Sequence, residues 1–317
     1  MERSEAGGKE GLRALLSDAY QYARAHLGEG RVATYIPELA RANPANLGVY
    51  MITADGEGLG VGDYDIPFTA QSIGKTFALL LALQTAGEEA VFSKVGMEPS
   101  GDSFDSIIQL EMKNWNPYNP LINCGAIATV GCIRAEDPFQ EYLELARKLC
   151  GDPEVSLNEK VYFSEKKTGN RNRAIAYLLK SDRILEDSAE EVLDLYFRMC
   201  SVMVTAKDLA NYAYILSNGG RDPRTGEQLL DFHLVRTLLT LMLLCGMYDE
   251  SGEYAVRVGI PSKSGVGGGI VAVPGNGSGI GTYGPVLNKK GNSVGGERIM
   301  EYLSRKMDLH IIRNHIV

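Results

Sequence analysis

The sequence predicts an α+β fold in which both ends of the chain contribute strands to one antiparallel sheet. Three observations predict it. A hairpin-like pair of apolar segments lies between Leu47 and Val61, helical periodicity fills the stretch from Ser72 to Gly246, and strand-like segments return after Tyr248. At 317 residues the chain is long enough for about two domains. Residues 1–70 and 247–317 are expected to form the sheet domain and residues 71–246 a mostly helical one. A cleft between such lobes is where small-molecule sites often sit.

Each element has its own signal. Leu12, Leu15, Leu16, Ala19, Ala23 and Leu27 recur at helical spacing, and Pro37 and Pro44 break the pattern. Leu47–Ile52 reads as a strand, Asp55-Gly56 as a hairpin turn and Leu59–Val61 as the return strand. Ile73, Phe77, Leu80 and Leu81 mark one buried face of a helix opened by Ser72. Further helical patterns cover 125–133, 138–150, 173–180, 188–200, 206–217 and 229–246, with Gly151, Gly219-Gly220 and Gly246 as stops. After these, Asp249–Gly252 reads as a turn, and Tyr254–Val258, Gly269–Val273 and Gly279–Tyr283 as strands. A last helix over Glu297–Ile311 joins the first one in covering the sheet.

Composition narrows the function. Lys plus Arg total 32 against 40 Asp plus Glu, a net charge of −8, which argues against a nucleic-acid or anionic-membrane partner. The five cysteines are scattered without a C-x-x-C, so buried thiols in a reducing compartment are expected. The N-terminus lacks an apolar h-region, and Leu238–Met247 is too short to span a bilayer, which predicts a cytoplasmic protein. The four histidines are dispersed, so no metal is expected, and no cofactor. Gly58-x-Gly60-x-Gly62 and Gly265-x-Gly267-Gly268-Gly269 do not match a phosphate-cradling fingerprint.

The chemical signal is Ser72-Ile73-Gly74-Lys75. A serine hydroxyl needs a base, and a lysine three residues on shares its helix face. A serine in the first helical turn also meets the positive end of the helix dipole. S-x-x-K opens the β-lactamase and penicillin-binding motif set, which adds K-[ST]-G, here Lys263-Ser264-Gly265. Ser164-Glu165-Lys166-Lys167 and Lys167-Thr168-Gly169 repeat both patterns. That second pair overlaps in one polar stretch and cannot face itself across a cleft, so it reads as a decoy. Tyr35, Asn123, Glu165, Asn172, Tyr196 and Tyr248 are polar where a core pattern does not need them. Any one of these tyrosines alone would read as core packing with a satisfied hydroxyl.

Together these residues resemble the serine-dependent glutaminase family. The matching stretches include Ala33-Thr34-Tyr35-Ile36-Pro37-Glu38-Leu39-Ala40, Phe68-Thr69-Ala70-Gln71-Ser72-Ile73-Gly74-Lys75, Asn119–Ile127, Ser164-Glu165 with Gly169-Asn170-Arg171-Asn172, Tyr196–Ser201, Gly246–Asp249, Lys263–Gly269 and Gly291-Asn292-Ser293-Val294. The resemblance implies a β-lactamase/DD-peptidase-like fold, hydrolysis of L-glutamine to L-glutamate and ammonia, and a homotetramer or homodimer. By position it implies Ser72 as nucleophile, Lys75 as its activating partner, Tyr248 as proton shuttle and Lys263 as electrostatic support. It implies the backbone N–H groups of Ser72 and Val266 as the oxyanion hole, and Tyr35, Asn123, Glu165, Asn172 and Tyr196 as the groups holding the amino acid. The choice of general base between Lys75 and Tyr248 stays open. One departure is visible: Leu287-Asn288 stands where the family commonly has Leu-Asp. The alternatives are a β-lactam-interacting serine hydrolase of the same fold and a non-catalytic amino-acid sensor. The S-D-N element of the first is not found as such.

Overall fold

Strand pairing ties the two ends of the chain into one sheet. The computed structural model describes residues 8–34, 36–100, 106 and 116–312. Its strands are β1 (Arg31–Val32), β2 (Gly48–Ile52), β3 (Gly58–Gly62), β4 (Phe68–Thr69), β5 (Met203–Val204), β6 (Ser262–Ser264), β7 (Gly269–Ala272), β8 (Gly279–Tyr283) and β9 (Val286–Leu287). The central sheet is antiparallel with order β3-β2-β8-β7-β6. The turn between β2 and β3 closes through Thr53 N–H on the Glu57 carbonyl (2.9 Å) and Gly56 in the left-handed region (φ 86°). β2 then takes β8 on its other edge, with Gly48 opposite Tyr283 and Ile52 opposite Gly279. Two-residue pairs β1–β9 and β4–β5 lie outside this sheet.

Helices cover both faces. The terminal helices α1 (Lys9–Arg24) and α12 (Val294–Met307) pack together on one side, burying Leu16, Ala19, Ala23, Ile299, Met300 and Leu303 against Val49, Met51 and Ile280. The middle of the chain supplies α2 (Gly74–Ala86), α3 (Glu88–Phe92), α4 (Asn123–Val130), α5 (Pro138–Cys150), α6 (Glu159–Thr168), α7 (Asn170–Ser181), α8 (Ala189–Cys200), α9 (Ala206–Ser217) and α10 (Phe232–Cys245). These helices do not merely sit beside the sheet, as the sequence suggests: α9 lies flat on its second face, over β8, β2 and β7. The reason is local. A Cβ on Gly279 or Gly281 of β8 would collide with the backbone of Ala206, Ala210 and Tyr214, so only glycine lets the helix approach so closely. With both faces covered, Ile270, Val271 and Ala272 are all buried, which is why β7 reads as a continuous apolar run.

The clearest differences from expectation lie near the C-terminal end of the chain. Tyr254–Val258 is not a strand; it falls in and just after α11 (Ser251–Arg257), and Asp249 belongs to a 3-10 turn leading into that helix. Tyr254 and Val258 are buried four residues apart, which fits a helix face as well as an alternating pattern. The Ser251 hydroxyl starts the helix by accepting from Met247 N–H (3.0 Å) and donating to the Tyr248 carbonyl (2.7 Å). The last helix begins at Val294 rather than Glu297 because Ser293 Oγ caps Gly296 N–H (3.1 Å), and it stops at Asp308 (φ 51°). All five cysteines are buried and reduced. Among the described residues no single helix is long and apolar enough to cross a membrane.

Candidate active site

Ser72 sits in a single 3-10 turn, Gln71–Ile73, that leads into α2, two residues ahead of the helix itself. The turn is anchored by Ala70 N–H on the Val202 carbonyl (2.8 Å) and Ile73 N–H on the Ala70 carbonyl (3.0 Å). Gln71 is held at φ 50°, a conformation that costs a non-glycine residue and persists only where packing enforces it. The enforcement is visible: Ser72 is 8% exposed, and α2 behind it is buried from Gly74 to Leu83.

Lys75 is 2% exposed. Nζ donates to Asn123 Oδ1 (2.7 Å) and to the Leu121 carbonyl (3.2 Å). Asn123 opens α4 and passes the connection on, donating Nδ2 to Asn172 Oδ1 (3.0 Å) and accepting from Tyr196 OH (3.4 Å). Residues from α2, α4, α7 and α8 are thus tied into one polar network.

The opposite wall is the loop after β6. Gly265 and Gly267 pack on the carbonyls of Ala70 and Thr69, and a side chain on Gly267 would strike the latter. This close approach carries Val266 to the Ser72 turn. Lys263, on β6, is fully buried and donates to the carbonyls of Gly246 (2.9 Å) and Ser264 (2.6 Å). Its Nζ lies 4.3 Å from the centre of the Tyr248 ring. Burial, helped by the charge of Lys75, holds the Lys263 amine well below the ordinary lysine range. Tyr248 itself has φ 55° and is buried. Burial pushes its phenol up, opposed by the hydroxyls of Ser72 and Ser264 and by Val266 N–H, which favour the phenolate.

A cavity of about 350 Å³ opens on this centre, lined by Ser72, Asn123, Glu165, Asn172, Tyr196 and Val266 among others. Its size suits a small ligand. Glu165, on α6, is pushed up to about 7 by burial, against a hydrogen bond with Gln71 and the charge of Lys75. A carboxyl so desolvated regains its charge when a cation enters beside it. Tyr248 does not line this cavity but a neighbouring one of about 300 Å³, shared with Leu121 and Ile122. Tyr35 lies outside the described residues; its neighbour Ile36 lines the Ser72 cavity. Ser164 is half-buried and Lys167 exposed on α6.

Sequence reasoning passed over Gln71, Arg171 and Thr168, which also line the cavity, and Ser264, which faces Tyr248. Gln71 adjoins Ser72, Arg171 lies in Gly169-Asn170-Arg171-Asn172, and Ser264 is the middle of Lys263-Ser264-Gly265, so position beside a motif was the available signal. Among the described residues no group of three or more His, Cys, Asp or Glu side chains gathers as a metal site would require.

Comparison with known proteins places the chain. The glutaminase family model matches residues 30–312. Glutaminase 2 of Clostridium perfringens is 47% identical over 96% of this chain and 99% of its own length. Among solved structures, the probable glutaminase ybaS superposes with a TM-score of 0.91 at 37% identity, covering 96% of this chain and 99% of that one. The Bacillus subtilis glutaminase YbgJ, solved as a covalent complex with 5-oxo-L-norleucine formed by reaction with 6-diazo-5-oxo-L-norleucine, superposes with a TM-score of 0.87 at 33% identity, covering 95% of this chain and 100% of that one.

Proposed function

This chain belongs to the glutaminase family, and from that premise we propose that it hydrolyses the side-chain amide of L-glutamine to L-glutamate and ammonia through an acyl-enzyme on Ser72. The observation that carries the reading is the gathering of Ser72, Asn123, Glu165, Asn172, Tyr196 and Val266 on one cavity. Glu165 pairs with the α-ammonium of the substrate, and a substrate lacking that group leaves a buried carboxyl unpaired. Asn123, Asn172 and the tyrosines Tyr35 and Tyr196 hold the rest of the amino acid.

In the first step Ser72 Oγ attacks the amide carbon and the serine proton leaves the hydroxyl. Two N–H bonds of Lys75 are spent on Asn123 and Leu121. In its neutral form the amine takes the serine proton on its nitrogen lone pair. The N–H groups of Ser72 and Val266 stabilise the oxyanion. Tyr248, a phenol at rest because burial raises it, relays a proton to the nitrogen, the C–N bond breaks and ammonia departs. Water then attacks the ester, restoring the Ser72 hydroxyl and releasing glutamate. Lys263, whose amine burial holds well below the ordinary lysine range, supports this centre from beside the Tyr248 ring. We place the reaction between a sheet domain of residues 1–70 and 247–317 and a helical domain of residues 71–246. We infer a cytoplasmic enzyme acting as a homotetramer or homodimer.

The test is a coupled glutamate assay on the purified chain, with asparagine as control and nitrocefin for the β-lactam alternative. Glutamine turnover is expected, together with a mass increase on Ser72 after treatment with 6-diazo-5-oxo-L-norleucine. Turnover of nitrocefin alone overturns the reading, and so does a label on any other residue.

A further inference from the structure

Behind Tyr248 lies a buried polar cluster that the reaction steps above do not use. Asn292, two residues before α12, is fully buried. Its Oδ1 accepts from Ser264 Oγ (2.6 Å), and its Nδ2 donates to the Met247 carbonyl (3.2 Å) and to Glu250 Oε2 (2.8 Å). A second amide, Asn288, donates Nδ2 to the same Glu250 oxygen (2.8 Å) and to Glu297 Oε2 (3.1 Å). Asn288 Oδ1 accepts from the N–H groups of Lys290 (2.9 Å) and Asn292 (3.1 Å). Arg257 approaches the other Glu250 oxygen at 3.6 Å.

Donor and acceptor chemistry fixes how these groups point. A backbone carbonyl and a carboxylate oxygen only accept, so the NH₂ of Asn292 must face Met247 and Glu250. Its carbonyl then faces Ser264, whose single hydroxyl proton is committed to it. That leaves the Ser264 oxygen fixed in place, and Ser264 is one of the groups that act on the Tyr248 phenol. The same amide also clamps the carbonyl of Met247, next to the strained backbone of Tyr248 (φ 55°). One side chain therefore joins the Tyr248 turn to the strand bearing Lys263 and Ser264.

We propose that Asn292 is a positioning residue for Tyr248, and that Glu250 makes it so by holding the Asn292 amide in one orientation. Asn288 is the matching piece. An aspartate at 288 would set a third carboxyl against Glu250 and Glu297, whereas the amide present here donates to both. The inference rests on Tyr248 acting as the proton shuttle.

The test compares Tyr248→Phe, Asn292→Ala, Glu250→Gln and the double variant N292A/E250Q in the full chain, reading kcat, KM and the pH profile of kcat, with circular dichroism for the fold. Asn292→Ala is expected to lower kcat about 10- to 100-fold, leave KM within about twofold and displace the pH profile, because Tyr248 loses a fixed neighbour. Glu250→Gln, which weakens one of the two acceptors that fix the Asn292 amide, is expected to lower kcat by a smaller factor in the native background and not at all in N292A. An inactive Tyr248→Phe beside an Asn292→Ala enzyme of native kcat overturns this inference alone. Multiplying losses in the double variant overturn the part given to Glu250. A fully active Tyr248→Phe overturns the reading of Tyr248 and this inference with it. Should Asn292→Ala not fold, Asn292→Asp keeps the acceptor for Ser264 and loses the donors; a lowered kcat then supports the proposal and a native kcat overturns it.

Discussion

Ser72-Ile73-Gly74-Lys75 and Ser164-Glu165-Lys166-Lys167 share the S-x-x-K spacing, and each has a K-[ST]-G tripeptide to match. Their surroundings differ in every physical respect. The first serine sits in a strained turn against a buried helix, and its lysine is enclosed with two acceptors. The second lies on α6 with its lysine in solvent, held by no buried partner of that kind. Glu165, inside the second tetrapeptide, is nevertheless buried and faces the first one's cavity. A spacing pattern therefore offers candidates, while burial and partners decide which atoms can exchange protons.

The comparison is broken most directly at the two serines. Ser72→Ala is expected to lower kcat by about 10³-fold or more, and Ser164→Ala by less than about twofold, read by ammonia release. Similar effects at both positions would end the distinction. The lysines come next. Lys75→Ala removes the buried donor for Asn123 and Leu121, so a loss of about 1–3 kcal/mol in urea melts should accompany the loss of turnover. Lys167→Ala should stay within about 0.5 kcal/mol. A stable Lys75→Ala chain would mean that its two bonds contribute little.

Glu165 sharpens the contrast further. Burial pushes its carboxyl up to about 7. Because the folded value is raised, the proton is bound below that pH and the pairing charge is lost there. The expected kcat/KM therefore falls as pH drops below about 7, and Glu165→Gln should raise KM roughly 10-fold or more and abolish that limb. An unchanged acid limb in the variant would assign it elsewhere. The smallest effect belongs to Lys166, which pairs with Asp194 on the surface. Lys166→Ala is expected to cost less than about 1 kcal/mol, and less still in added salt. A larger, salt-insensitive loss would show that α6 depends on that pair.

Much of the sheet was legible because β2, β3, β7 and β8 carry apolar runs bounded by turn residues. Tyr254–Val258 was misread because two buried residues four apart satisfy both periodicities in so short a segment. The pairs β1–β9 and β4–β5 were invisible, since two residues show no period. In the site, Ser72, Lys75 and Lys263 could be picked out by spacing. Asn123, Asn172 and Tyr196 could not, because a single asparagine or tyrosine carries no signal without its neighbours, and family resemblance supplied them. Glu250 lies in one turn and Asn288 with Asn292 in another, and only the fold brings the two together.

The pairing of β2 with β8 also bears on synthesis. Residues 48–52 emerge from the ribosome early, and their second neighbour, residues 279–283, only near the end. At about 5–20 residues per second that interval is on the order of ten seconds or more. Throughout it the β2–β3 hairpin has an open edge, the kind of template on which nascent chains stick to one another. A chain cut short before residue 279 therefore keeps that adhesive edge for good.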